Sequence, residues 1–374
     1  MTVVSPSLAL MMVDVSPYQA HLYTSKDVVI GNPPYVEYKE VKGDYRIRGY
    51  KTEECGNLYA FMWERSVALT HSTARIGLII PVASICTDGY ATLRQVWLSS
   101  GNAVVSNFND RPGKLFDGLE HIRLAIVLLE KSKAGTKRVY TTTYNKWFSE
   151  AREYLFSSLS FGETTAFIRS GSMPKIGYGV ESSILGKVSA CPKTLEHFAS
   201  NTGRHHIFYT RKLSGFVQIL DFIPSITDQQ RRKREPSELK EVLLSSKEER
   251  DAFLCVLNSS VFYWLHTVWS DCRNLNKREV LGVPFDFATS NPNDIQRLGQ
   301  LASKLMMDFR KHSQVLEMNY KNLGTMRIQC IYPKQSKAIL DEIDPVLAGH
   351  YGFTAEELDF IINYDIKYRL GRDI

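Results

Sequence analysis

Asp27-Val28-Val29-Ile30-Gly31-Asn32-Pro33-Pro34-Tyr35 is the stretch that decides how this chain is read. Its β-branched run, closed by a glycine and then two prolines, predicts a buried parallel strand that stops abruptly. Chemistry in open α/β sheets gathers at the carboxyl ends of such strands. The prolines fix φ and donate no N–H, so the turn is rigid and rich in acceptors. The Asn32 side-chain oxygen and the Pro33 carbonyl stand in a row, with the aromatic face of Tyr35 beside them. At average residue usage, Asn-Pro-Pro-Tyr arises by chance in roughly one chain in a thousand of this size.

Such a turn suits a planar group carrying an exocyclic amine. Two acceptors hold both N–H bonds of an NH2 group and orient its lone pair. Tyr35 then stacks on the attached ring. The bland alternative is a proline-rich strand exit with no chemistry.

The strands and helices around this turn set the fold class. Leu58–Leu69 has helical periodicity, Arg75–Pro81 reads as the next buried strand, and Asp88–Leu98 as a helix. Val104–Phe108 and Ile122–Leu129 read as two more strands, paired antiparallel at the edge of the sheet. The alternation predicts an α/β fold with a parallel-rich, doubly wound sheet. Between the last two strands, Lys114–Gly118 carries Phe116, either a core aromatic at a strand end or a second stacking face for a flipped base.

Residues 36–57 form a polar loop, either solvated or DNA-facing. Composition shifts after about Lys137, which marks domains at 1–137, 138–290 and 291–374. The middle one is a mixed α/β region with two candidate DNA-binding stretches. The first mixes aromatics with Arg204, Arg211, Lys212, Arg231 and Arg232. The second is the polar run after a helix, with Arg273, Lys277 and Arg278. Such residues supply phosphate contacts and base-edge donors, or line ordinary solvated loops. One helix is expected over 247–269, starting at Ser246. Further helices at 293–315, 334–349 and 354–366 make the carboxyl terminus helical, the last with a Thr354/Glu357 capping box.

The 374 residues allow two or three domains. A hydrophobic share of 44% and a charged share of 23% are those of an ordinary globular protein. The net charge of +6 suits a partner with phosphates without demanding one. No two of Cys55, Cys86, Cys191, Cys255, Cys272 and Cys330 lie within four residues. That excludes a zinc spacing and a disulfide framework, and it fits a reducing cytoplasm. The adjacent His205 and His206 face opposite ways in a strand, so no metal site is expected. No apolar stretch has the length of a membrane span. The apolar run after Ser7 is preceded by no lysine or arginine and is not a signal peptide. Walker A, Gly-x-Ser-x-Gly and His-Glu-x-x-His patterns are absent.

Four segments resemble, in order and spacing, the adenine-specific DNA methyltransferases of the Eco57I and TaqI type. They are DVVIGNPPY (27–35), NLYAFMWERSVAL (57–69), GLIIP (77–81) and KLFDGLEHIRLAIVLLEK (114–131). Two more, at 258–278 and 343–371, resemble the family's target-recognition region and its carboxyl terminus. The resemblance implies site-specific N6-adenine methylation of double-stranded DNA, within a restriction–modification system, from S-adenosyl-L-methionine to a flipped base. It implies that Asn32 and Pro33 bind the target amine, with Pro34 in the turn. It further implies that Tyr35 and Phe116 stack on the base and that Asn57 shapes the cofactor side.

The family's glycine loop and ribose-binding acid precede the catalytic turn. Here no glycine precedes Gly31. The chain is therefore expected to be a truncated or split form with an incomplete Rossmann-like sheet, its donor site supplied by a separate amino-terminal half. The alternative is a non-catalytic DNA-binding fragment. Action on a protein glutamine or a ribosomal RNA base ranks last, because the chain continues long past the motif.

Overall fold

The computed structural model describes residues 26–371, except 45, 120, 134, 136, 170, 171, 214 and 237. The described residues group into two compact units. One runs to Ser182 and takes in Val268–Asp271; the other holds Ser183–Thr267 and everything from Cys272 on.

The first unit is built on one six-stranded sheet of order β1-β2-β4-β3-β5-β6. Its strands are β1 (Lys26–Gly31), β2 (Thr70–Pro81), β3 (Gly101–Phe108), β4 (Leu124–Lys131), β5 (Val139–Asn145) and β6 (Phe161–Glu163). The motif strand is β1, parallel to β2 and at one edge of the sheet. β3 and β4 pair antiparallel as expected. They lie inside the sheet, because β5 adds in parallel along β3 and β6 follows it. The sheet is thus mixed, with two parallel and three antiparallel pairings. The Ser/Thr-rich shift after 137 is the β-branched sequence of β5, so position 137 falls between two strands of one sheet.

Helices α1 (Leu58–Leu69) and α2 (Ala91–Ser100) cover one face. Tyr59, Ala60, Trp63, Leu93 and Trp97 pack there on Val29, Ile76, Leu78, Ile80, Val105 and Val127. α1 ends where Thr70 turns extended, and the Lys131 ammonium donates to the Val67 and Thr70 carbonyls at 2.9 and 2.7 Å. A cation on the last carbonyls of a helix satisfies orphan acceptors and offsets the macrodipole. On the other face Val28, Ile30 and Leu128 are 40%, 47% and 50% exposed. A cavity of about 720 Å³ lies over them, also lined by Val104 and Tyr140.

The second unit holds two three-stranded antiparallel sheets. One has the order β10-β7-β8, from β7 (His205–Thr210), β8 (Ile219–Leu220) and β10 (Leu239–Leu244). The other joins β9 (Ile226–Asp228) to a hairpin of β11 (Ser313–Tyr320) and β12 (Gly324–Ile331). The hairpin was not expected in a helical region. Its turn carries Asn322-Leu323-Gly324, and Gly324 sits at φ +72°, a conformation glycine tolerates without strain.

The expected helix over 247–269 is two helices, Lys247–Asn258 and Ser260–Trp269, meeting at 63°. The break follows from Ser259, extended at ψ 162°. Its hydroxyl accepts from Phe262 N–H at 3.1 Å, and the Asp344 carboxylate accepts from Ser260 N–H at 2.9 Å. The start at Ser246 holds, with a reciprocal capping box to Glu249. Among the described residues, no single helix is long and apolar enough to cross a membrane.

The Thr354/Glu357 capping box is also present. Burial opposes the charge on Glu357. Hydrogen bonds from Lys187 and Ser183, both at 2.6 Å, and from the Thr354 N–H outweigh it and hold the carboxyl at about 2, below its ordinary 4.5. A depressed folded value stabilises the fold above about pH 4.5 and is lost as pH falls toward 2. Thermal unfolding by circular dichroism should therefore find Glu357→Gln less stable than wild type at neutral pH. The gap should close between pH 4.5 and 2. A gap independent of pH would remove the charge from this account.

Candidate active site

The parallel register pairs Gly31 with Leu78, which sets Ile79 beside Asn32 at the carboxyl end of the sheet. Beyond the strand Asn32 is exposed, Pro33 is buried, and Pro34 and Tyr35 are half-buried. The Tyr35 hydroxyl is 2.5 Å from Asn32 Oδ1, to which it donates, and 3.2 Å from the Ile79 carbonyl. This contact fixes the Asn32 carboxamide with its oxygen toward Tyr35. A carbonyl oxygen has two lone pairs, so Asn32 keeps capacity for a second donor. Desolvation by burial pushes the Tyr35 phenol well above its usual range, which keeps it a neutral donor.

The Tyr35 ring meets Tyr59 edge-on at 6.2 Å, and Tyr59 stacks on Tyr90 at 5.4 Å. Tyr35 also packs against the neighbouring cluster of Phe108, Leu115, Leu124, Trp147 and Leu155. Phe116 is 37% exposed and follows Leu115 directly, and Leu119 packs on the same cluster. The structure thus brings the Phe116 loop to the packing surface of Tyr35, 81 positions apart in sequence.

The chain leaving the motif pairs with the entry to α1. Tyr38 N–H donates to the Gly56 carbonyl at 2.8 Å, and Leu58 N–H to the Val36 carbonyl at 3.0 Å. Asn57 sits at that junction, 7% exposed, with its Oδ1 buried and without a hydrogen-bond partner. An orphaned buried acceptor carries a desolvation cost that a donor from a ligand would relieve. The 36–57 loop is tied to α1: the Glu64 carboxylate accepts from the N–H groups of Lys51 and Thr52 and from the Thr52 hydroxyl.

In the second unit Arg204, Arg211, Lys212, Arg231, Arg232, Arg273, Lys277 and Arg278 are all exposed. The two sequence stretches that contain them converge. Lys212 bridges to Asn274, and Leu275 N–H donates to the Arg211 carbonyl at 2.8 Å. The backbone segments that carry the exposed Arg211, Lys212, Arg273 and Lys277 therefore run side by side. Arg231 and Arg232 stand elsewhere, on a turn gathered around Asp228. There Arg232 Nε donates to Asp228 Oδ2 at 2.8 Å, and Arg234 donates to the same oxygen. Arg278 pairs with Glu279 at 3.0 Å. His206 hydrogen-bonds Glu241 and stacks on Phe208. No group of three or more potential metal ligands occurs among the described residues.

Residues 23–111 match the Eco57I restriction-modification methylase family. No curated protein matches the chain in sequence. Among solved structures, the Type IIL restriction-modification enzyme MmeI in complex with DNA is 10% identical, with a TM-score of 0.46, over 91% of this chain and 56% of its own. The DrdV–DNA complex is 8% identical, with a TM-score of 0.41, over 94% and 56%. The Type IIG restriction endonuclease BpuSI is 10% identical, with a TM-score of 0.33, over 95% and 54%. The chain spans little more than half the length of each of these three.

Proposed function

We propose, from the match of residues 23–111 to the Eco57I restriction-modification methylase family, that the chain forms the catalytic turn and target-recognition region of a site-specific N6-adenine DNA methyltransferase in a restriction–modification system. The observation that carries this reading is the Asn32–Tyr35 turn at the end of β1. It has an exposed carboxamide oriented by the Tyr35 hydroxyl and an aromatic loop packed against its cluster. Asn32 Oδ1 and the Pro33 carbonyl accept the two N–H bonds of the adenine amine and direct its lone pair outward. Tyr35 and Phe116 stack on the extruded ring. Arg211, Lys212, Arg273 and Lys277 take phosphates of double-stranded DNA.

S-adenosyl-L-methionine supplies the methyl group in this reading. The described residues do not by themselves fit it. They offer the orphaned Asn57 oxygen but no glycine-rich turn from a strand into a helix. We place the donor on a polypeptide segment outside the described residues, whose strand pairs along the edge of β1 left open among them and whose helix covers Val28, Ile30 and Leu128. Parallel strands bury both faces, and an unpaired edge is a template for another strand.

The second reading, a recognition fragment without catalysis, is favoured by the exposed basic residues of the second unit alone. One experiment separates them. The chain is expressed with the polypeptide encoded beside it in a bacterium lacking DNA methylation, and N6-methyladenine is mapped by sequencing. The expected result is methylation at one sequence motif. Unmarked DNA, with duplex binding retained by the purified chain, would leave the recognition fragment.

A further inference from the structure

Phe116 lies on a loop between two strands, with more than a third of its side chain exposed. A stacking aromatic needs a fixed position, and a loop supplies one only if its backbone is tied down. The ties come from the segment after β5. Gly113 N–H donates to the Trp147 carbonyl at 2.8 Å. A Cβ at Gly113 would lie 2.4 Å from the Trp147 indole nitrogen, so the bare glycine lets the loop lie against the ring.

Arg152 follows on a short 3-10 turn, Ser149–Tyr154. Its Nη1 donates to the Lys114 carbonyl at 2.7 Å and its Nη2 to the Leu115 carbonyl at 2.6 Å. One planar fork thus holds the two consecutive carbonyls that lead into Phe116. The Arg152 carbonyl in turn accepts from Leu155 N–H, and Leu155 is buried in the cluster that Leu115 and Tyr35 share. Arg152 forms no ion pair with a carboxylate among the described residues. Its charge is spent on backbone, a use that lysine does not reproduce because an ammonium lacks the fixed two-pronged geometry.

We propose that Arg152 is a positioning residue that sets Phe116 in place for the target base. The consequence for catalysis rests on the methyltransferase reading; the tie between Arg152 and Phe116 does not. The competing role is a phosphate contact, which lysine would preserve.

The test has two arms on the full chain. In the first, phenylalanines are replaced by 4-fluorophenylalanine, and the Phe116 fluorine resonance is assigned with Phe116→Leu. Arg152→Ala and Arg152→Lys should both shift or broaden that resonance while the other phenylalanine signals stay in place. An unchanged Phe116 signal in Arg152→Ala overturns the proposal. In the second arm, methyl transfer is measured on unmethylated phage DNA of mixed sequence, with the donor-binding polypeptide present. Both variants should lose about ten- to a hundredfold in kcat, with KM for DNA within about twofold of wild type. Full activity in Arg152→Lys, or a loss confined to KM and steep in salt, assigns Arg152 to phosphate binding instead. Wild-type inactivity beside a responsive Phe116 signal counts against the methyltransferase reading and leaves the positioning role standing.

Discussion

Asn32→Ala should abolish nearly all methyl transfer while leaving DNA binding almost unchanged. The substitution removes one of two acceptors for the target amine, and with it the partner that the Tyr35 hydroxyl holds at 2.5 Å. Losing one preorganised polar group aimed at a reacting centre costs on the order of a hundredfold or more in rate. Binding depends chiefly on phosphates, and the exposed cations proposed to meet them lie in the other unit. The measurement is tritiated methyl incorporation into phage DNA beside a filter-binding titration. A variant keeping more than about a tenth of the rate has lost under ~1.4 kcal/mol of barrier stabilisation, and the role given to Asn32 would then be wrong. Tyr35→Phe keeps the ring and deletes the hydroxyl. It should lie between wild type and Asn32→Ala, because the carboxamide remains but loses its fixed orientation.

How much of this was legible beforehand depends on what each element needs. The position, parallel pairing and turn of β1 were readable because β-branched residues, glycine and proline act locally on φ and ψ, but the expected burial was not met: β1 lies at the sheet edge with Val28 and Ile30 40% and 47% exposed. α1 was readable to the residue, since its apolar face meets one sheet. The two capping boxes at Ser246 and Thr354 were readable because their partners are three positions apart. Other features depend on partners far along the chain. The break at Ser259 is secured by Asp344, 84 positions from Ser260. The hold on the Phe116 loop comes from Arg152, 37 positions beyond Leu115. By contrast, Asp228 lies only three and four positions before Arg231 and Arg232, so the turn it organises was a local signal that the reading passed over. The hairpin at 313–331 had a usable signal in Asn-Leu-Gly, but the strong helical period before it drew the reading onward.

The open face of the six-stranded sheet sets the last expectation, which concerns this chain by itself. Isothermal calorimetry with S-adenosylmethionine should show no binding at micromolar concentrations. A donor of that kind needs a close backbone approach at a glycine turn, helix N-terminal N–H groups, and an acid for its ribose hydroxyls. The described residues provide no such turn, and residues 1–25 contain no glycine. Val28 and Ile30 meanwhile stand 40% and 47% exposed, on a strand that among the described residues pairs on one side only. Adding the donor-binding polypeptide should produce donor binding and, in the same sample, slow hydrogen exchange at the β1 amides that face the free edge. The two changes must appear together, because in this account one strand addition causes both. Micromolar binding by the isolated chain would mean that the donor site is already complete within it. Donor binding by the mixture with unchanged exchange in β1 would place the partner somewhere other than the sheet edge.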